Sequence, residues 1–424
     1  MAALTGEVAP RTVNPRVARL LDDQRVGRVD LSTFWDDLAT LTTPLVDELP
    51  DHPGHVLVTF VWRATRPTVR AVSLHGAPVW HQSDAAHEAA AGFAGLQALH
   101  HVPGTDVWWR SYVARSDVRT LYSFREYDHD LLSSDTTARD QPDPLNPRHW
   151  PATPPVTAPL PMWAEDPWPY LELPSAPRDA ALIETAGVAP GTFELHSLPT
   201  SADAARRVWL YTPPDAEASG QLPVLVLHDG WHWTWPECSI ATIIDNLIAS
   251  GELPAMAVVA QESPESGREE LACDPQFADY VADELLPWAR ERLDITTDPS
   301  RTIVAGQSYG GLAASFLALR RPDTFGNVIS QSGSYWFPAG SEFDEDAGGL
   351  IREYAAADRL PVRFYLDVGL LEQWMVPYNR HFRDVLVAKG YPVSYREYNG
   401  GHSHLCWRHS MPGALRDLTT QWDT

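Results

Sequence analysis

Gly306-Gln307-Ser308-Tyr309-Gly310 sets a serine between two glycines, after the apolar run Thr302–Ala305 and before the helix-forming stretch GLAASFLALR. A serine on a sharp strand-to-helix turn projects its hydroxyl above the sheet. Glycines are needed beside it because side chains there would strike neighbouring backbone. The helix N-terminus behind it favours negative charge developing during attack. GxSxG alone is a weak signal; the flanking strand and helix patterns make it specific. A serine hydroxyl needs a base to take its proton. Asn399-Gly400-Gly401-His402 follows the strand-like VSYREY, and a histidine on a glycine-loosened loop can swing over the serine. His402 is the candidate base among 16 histidines, with His404 its nearest competitor. An acid is expected at the end of the run Val362–Val368, to hold the imidazole in its working tautomer. Asp367 lies inside the run and Glu372 on the loop after it; the loop residue, Glu372, is preferred. Two backbone N–H groups should receive the oxyanion, each contributing about 3–4 kcal/mol when tested by removal. One is that of Tyr309. The other is that of Trp231, in the loop His228-Asp229-Gly230-Trp231, where Gly230 leaves room for close approach.

The pair of histidines in His402-Ser403-His404-Leu405-Cys406 also has the look of a metal site. No HExxH or CxxC accompanies it, so no metal and no cofactor are expected.

The elements needed to hold these residues are visible in the second half. Short apolar runs (Val224–Leu227, Ala255–Ala260, Thr302–Ala305, Asn327–Ser330, Val362–Val368, Val393–Tyr398) alternate with helical patterns at Ser239–Ser250, Gln276–Leu293, Gly311–Leu319, Tyr378–Lys389 and Pro412–Trp422. That alternation predicts a mostly parallel sheet covered on both faces. The first half reads differently. His55–Arg63, Thr68–Leu74, Asp106–Val113 and Thr120–Tyr127 are short, β-branched or aromatic runs bounded by turn residues, as in a β-sandwich. Val56, Val58 and Phe60 alternate with Leu57 and Thr59 as in a half-buried strand. Residues 12–50 carry helical spacing, and Ser83–Leu99 is an alanine-rich stretch, helix or loop. Between the halves, proline recurs throughout Gln141–Pro177, which predicts an extended connector. The expected organisation is a β-sandwich domain with a leading helical segment over residues 1–140, a connector over 141–180 and a catalytic domain over 181–424.

With 32 basic and 56 acidic residues, the net charge of −24 sets the chain against nucleic acid and anionic membranes as partners. Three scattered cysteines, Cys238, Cys273 and Cys406, cannot build a disulfide framework and fit a reducing compartment. Neither a secretory h-region nor an 18-residue apolar run is seen. A cytoplasmic protein is the expectation.

Gly306–Phe337 (GQSYGGLAASFLALRRPDTFGNVISQSGSYWF), Gly400–Arg408 (GGHSHLCWR) and His228–Trp233 (HDGWHW) resemble the enterochelin esterases, which hydrolyse ferric catecholate siderophores. Pro103–Trp108 (PGTDVW) and Asp143–Asn146 (DPLN) are similar to that family's N-terminal domain. The resemblance spans roughly residues 35–424. It implies an α/β-hydrolase with an N-terminal β-sandwich domain, Ser308 and His402 in catalysis, and an acid in the position of Glu372. HDGWHWTWPECS is richer in tryptophan than the family pattern, and His404 departs from it. The implied substrate is a small molecule, a ferric tris-catecholate: a compact trianion with aromatic faces that needs aromatic and arginine surfaces. Trp336, Trp407 and Arg408, with Arg63 and Arg110 from the first domain, are the substrate-binding candidates. The expected activity is hydrolysis of a siderophore trilactone by a serine esterase. The alternatives are a general carboxylesterase or an esterase for another siderophore or ester, and a non-catalytic siderophore-binding protein.

Overall fold

The computed structural model describes residues 13–76, 78, 97–129, 139–150, 168–199, 205–263, 268–338 and 348–422. Their contacts group into two units. The first ends at Pro177 but also takes in Asn399–Ser403; the second holds Arg178–Tyr398 and the chain from His404 onward. Among the described residues no helix is long and apolar enough to cross a membrane.

The second unit is built on an eight-stranded sheet: β1 (Thr192–Pro199), β2 (Ala205–Thr212), β3 (Val224–Leu227), β4 (Ala257–Gln261), β5 (Thr302–Gln307), β6 (Asn327–Gln331), β7 (Arg363–Gly369) and β8 (Val393–Tyr398). Their spatial order is β1-β2-β4-β3-β5-β6-β7-β8. β2 runs antiparallel to both β1 and β4, and every pairing from β4 to β8 is parallel. This is the mostly parallel sheet of an α/β-hydrolase. Its central strands β3–β6 are buried at every residue, because helices cover both faces and an apolar side chain is favoured whichever way it points. β1 is an exposed edge with no continuous apolar run, which is why no apolar pattern marks it in the sequence.

Two helices depart from expectation. Gln276–Leu293 is not one regular helix: Pro275–Tyr280 and Leu286–Arg290 flank a wide turn at Val281–Leu285. Pro287 has no N–H to give the preceding turn, and a widened turn absorbs that loss. The C-terminal helix begins at His404, eight residues before the expected start at Pro412, and keeps that proline inside it.

In the first unit, the strands Leu45–Glu48, His55–Arg63, Val107–Arg115 and His100–His101 form one sheet, and Gln97–Ala98, Ala71–His75 and Ser123–Tyr127 another. The expected half-buried alternation of His55–Arg63 is not observed: every residue from Val56 to Trp62 is buried. Phe60 packs edge-on against Tyr112, Tyr122 and Phe124. Val61, on the opposite face, joins Val17 and Leu20 of the helix Pro15–Arg25 and Trp35 and Leu38 of Leu31–Ala39. The leading helical segment therefore covers the face that would otherwise be wet.

The proline-rich stretch is not a bare connector either. His149–Trp150 and Trp168–Glu172 are strands that pair with each other, the latter also with Arg119–Leu121. Pro169 still serves as an acceptor, its carbonyl taking the Tyr122 N–H at 3.0 Å. Asp143 accepts the Tyr122 hydroxyl at 2.8 Å, and Asn146 donates to that hydroxyl at 2.9 Å and to the Tyr170 carbonyl at 3.0 Å. Asp143 and Asn146, the two ends of DPLN, thus form a buried clasp. Most of Ser83–Leu99, and residues 151–167 of the connector, lie outside the described residues.

Candidate active site

Ser308 stands between β5 and the helix Tyr309–Arg320 with φ 55° and ψ −118°. A non-glycine residue takes positive φ only when its surroundings impose it. Its N–H donates to the Gln331 carbonyl at 2.9 Å, and its own carbonyl accepts from the Ser334 N–H at 3.0 Å. A Cβ on Gly306 would lie 2.3 Å from the Gly310 carbonyl carbon, and one on Gly311 would lie 2.6 Å from Ser330 Oγ. Gly306 is therefore a steric requirement of the turn and Gly311 of the helix behind it, whereas a Cβ on Gly310, expected to clash, would meet nothing nearer than His228 Cβ at 3.4 Å. Ser308 is half-buried, and its Oγ lies 3.3 Å from Ser334 Oγ. At the end of β3, Asp229 also takes positive φ, 52°, and opens the single turn Gly230–Thr234. A Cβ on Gly230 would stand 2.8 Å from Ala260 backbone, so only glycine lets the turn carrying Trp231 settle against β4.

Beyond β7, Glu372 is 6% exposed. The Ser332 hydroxyl at 2.6 Å, the Gly369 N–H at 2.8 Å and the Tyr398 hydroxyl at 3.3 Å converge on its Oε1. Ser332 Oγ in turn accepts from Trp407 Nε1 at 2.9 Å. Serine and acid are thus tied to one strand end: Gln331 holds the Ser308 backbone and its neighbour Ser332 holds the Glu372 carboxylate. Beneath them runs a chain of buried amides. Trp233 Nε1 donates to Gln307 Oε1 at 3.3 Å, Gln307 Nε2 to Gln331 Oε1 at 2.9 Å, and Gln331 Nε2 to the Trp407 carbonyl at 2.8 Å.

A family model described as putative esterase matches residues 200–418, and one for the N-terminal domain of enterochelin esterases matches residues 57–182. The iron(III) enterobactin esterase of Dickeya dadantii is 30% identical over 95% of this chain and 96% of its own. The chain belongs to the enterochelin esterase family. The iron(III) salmochelin esterase of Escherichia coli is 28% identical over 95% of this chain and 96% of its own. The solved ferric enterobactin esterase of Salmonella typhimurium has a TM-score of 0.74 and 26% identity, covering 93% of this chain and 100% of its own.

In this esterase Asp367, the alternative acid, is fully buried on β7. Burial pushes its carboxyl up to about 7, against the opposing bonds of Ser410 and Gln331. It is held inside the sheet end, whereas Glu372 sits on the loop. The folded state keeps the Asp367 proton from about pH 4, where an unfolded chain gives it up, to about pH 7. Its contribution to stability is therefore complete below that window and lost as pH rises through it. Asp367→Asn keeps the shape and removes the ionisation. The fall in urea midpoint between pH 5 and pH 8.5 should be smaller in the variant, by the equivalent of about 2–3 kcal/mol. Parallel pH dependences in the two proteins would show that Asp367 does not titrate in that window.

Each of the other candidates has neighbours of its own. Trp336 is half-buried, 5.7 Å edge-on from the Tyr309 ring and 5.3 Å from Trp374, an aromatic two residues after Glu372 that the motifs did not single out. Trp407, expected against substrate, is instead buried and donates to Ser332. Arg408 donates to the Glu237 carbonyl. His404, the competitor base, opens the C-terminal helix and stacks on the His232 ring at 3.7 Å. His402 is exposed and lies in the segment grouped with the first unit. Also in that unit, Arg63 pairs with Asp106 at 2.8 Å, and Arg110 donates to the Ala98 carbonyl at 2.8 Å. Motif reading did not single out Ser332 and gave Trp407 a different role; the contacts that link them to Glu372 span 40 and 75 positions, and no local pattern marks them.

Proposed function

We propose that this esterase hydrolyses the backbone esters of a catecholate siderophore trilactone of the enterobactin type, with its iron carried as part of the substrate. The observation that carries the reading is the half-buried Ser308 hydroxyl at a positive-φ elbow, sharing a strand end with a buried, hydrogen-bonded carboxylate. Family membership supports the substrate class, as does Trp336, which stands edge-on to Tyr309 and to Trp374.

Ser308 Oγ attacks the ester carbonyl as His402 takes its proton. The N–H groups of Tyr309 and Trp231 receive the oxyanion, and Glu372 stabilises the imidazolium. Collapse expels the alcohol, protonated by His402, and leaves an acyl-serine. Water, deprotonated by the same imidazole, attacks the acyl carbon and releases the acid. Each cut loosens the tether among the three catecholates and weakens the chelate. Arg63, Arg110 and Arg408 are the cations we assign to the trianion. The cytoplasm is the compartment we assign, since three cysteines as widely spaced as Cys238, Cys273 and Cys406 suit a reducing environment.

Chromatography of products from iron-loaded and iron-free trilactones, beside p-nitrophenyl acetate, tests the reading. The expected result is conversion of trilactone to linear fragments with kcat/KM at least about 10²-fold above the acetate. Turnover of the acetate with intact trilactone would establish a general carboxylesterase instead.

A further inference from the structure

The chain leaves β8 at Tyr398 and re-enters the second unit at His404, yet the residues between them group with the first unit. Contacts inside that unit hold this short segment. Asn399 Nδ2 donates to both oxygens of Asp117, at 2.9 Å each. The Asn399 carbonyl accepts the Arg119 N–H at 3.0 Å, and Arg119 forms a parallel bridge with Gly400. Gly401 lies close against Thr120, where a Cβ would stand 3.0 Å from Oγ1. Asp117 is itself preset, since Arg115 donates to its two oxygens at 3.1 and 2.8 Å. Those bonds first, and Asn399 after them, hold its carboxyl below the usual carboxylate range.

Two consecutive glycines give a loop little conformational restraint of its own. Here the restraint comes from outside the loop, at its first residue, three positions before His402. We propose that Asp117 and Asn399 are positioning residues for His402: their bond holds the start of the loop that carries the imidazole. The proposal rests on the reading of His402 as the base. Loosening the pair lowers the fraction of time in which the imidazole is in place. That loss falls on kcat and leaves KM nearly unchanged, because substrate binding does not draw on the imidazole.

An exchange of the two side chains tests this in the full-length protein. N399D sets a carboxylate against the Asp117 carboxylate and should lower kcat about 10-fold or more, with KM within about two-fold. D117N alone weakens the Arg115 grip and should lower kcat less. The double variant D117N/N399D restores an amide–carboxylate pair, and its kcat should recover to within about three-fold of the parent. Recovery is the decisive readout, because general damage to the fold would add in the double variant rather than cancel. Should N399D fail to fold, N399A and D117A take its place. Each then lowers kcat by a similar factor, and the two together lower it by no more than either alone. H402A is run alongside. If H402A retains the parent rate, the base assignment falls and the proposal with it. If H402A is inactive while every Asp117 and Asn399 variant keeps the parent kcat, the base stands and the anchoring role is wrong. A rise in KM at constant kcat would also overturn it, since the pair would then be shaping the substrate site.

Discussion

Ser308→Ala should lower kcat on the ferric trilactone by about 10⁴-fold or more while KM changes little. The substitution removes one oxygen from a turn whose geometry is set by backbone: the φ of 55°, the Gln331 and Ser334 bonds to its main chain, and the glycine contacts all remain. Without Oγ no acyl-enzyme forms, and only the oxyanion donors and bound geometry are left to accelerate direct attack by water. The measurement is single-turnover cleavage followed by chromatography, beside labelling with a fluorophosphonate. The parent protein should label at Ser308 and the variant should not. A variant that cleaves at the parent rate would remove Ser308 from the mechanism. A parent protein that binds trilactone but neither cleaves it nor labels would be a siderophore-binding protein.

Glu372→Gln should cost about 10²–10⁴-fold in kcat. Glutamine keeps an acceptor for Ser332, Gly369 and Tyr398, so the loop after β7 retains its bonds. The other oxygen becomes an NH₂ group. With His402 as the base we propose, that group could neither accept the imidazole's far N–H nor stabilise the imidazolium, and the wrong tautomer would be held. Asp367→Asn, by contrast, should stay within about three-fold of the parent rate, since that carboxyl reaches Gln331 and Ser410 inside the sheet end. Steady-state kinetics of the two variants decides between the acids. A large loss in Asp367→Asn with little loss in Glu372→Gln would reverse the assignment.

Much of the hydrolase unit was legible because its signals are local. Val224–Leu227 and Val393–Tyr398 are strands at the expected residues. The nucleophile turn announces itself within five residues, since steric demand at a sharp turn restricts the residue types beside it. β1 gave no such signal, because an exposed antiparallel edge has no apolar face to display. The proline-rich stretch misled for a related reason: proline forbids donation, yet its carbonyl still accepts, and Trp168–Glu172 pairs through it.

What sequence alone determined here is the kind of chemistry, a serine poised for acyl transfer, and the family that carries it. Tertiary structure decided which groups hold the candidate residues. Ser332 grips Glu372 and Trp407 grips Ser332, across separations of 40 and 75 residues. Asn399 meets Asp117 from 282 residues away. A turn's requirements are written in adjacent residues because bonded neighbours enforce them. A hydrogen bond between distant segments constrains neither sequence locally, so it becomes visible only when folding brings donor and acceptor together.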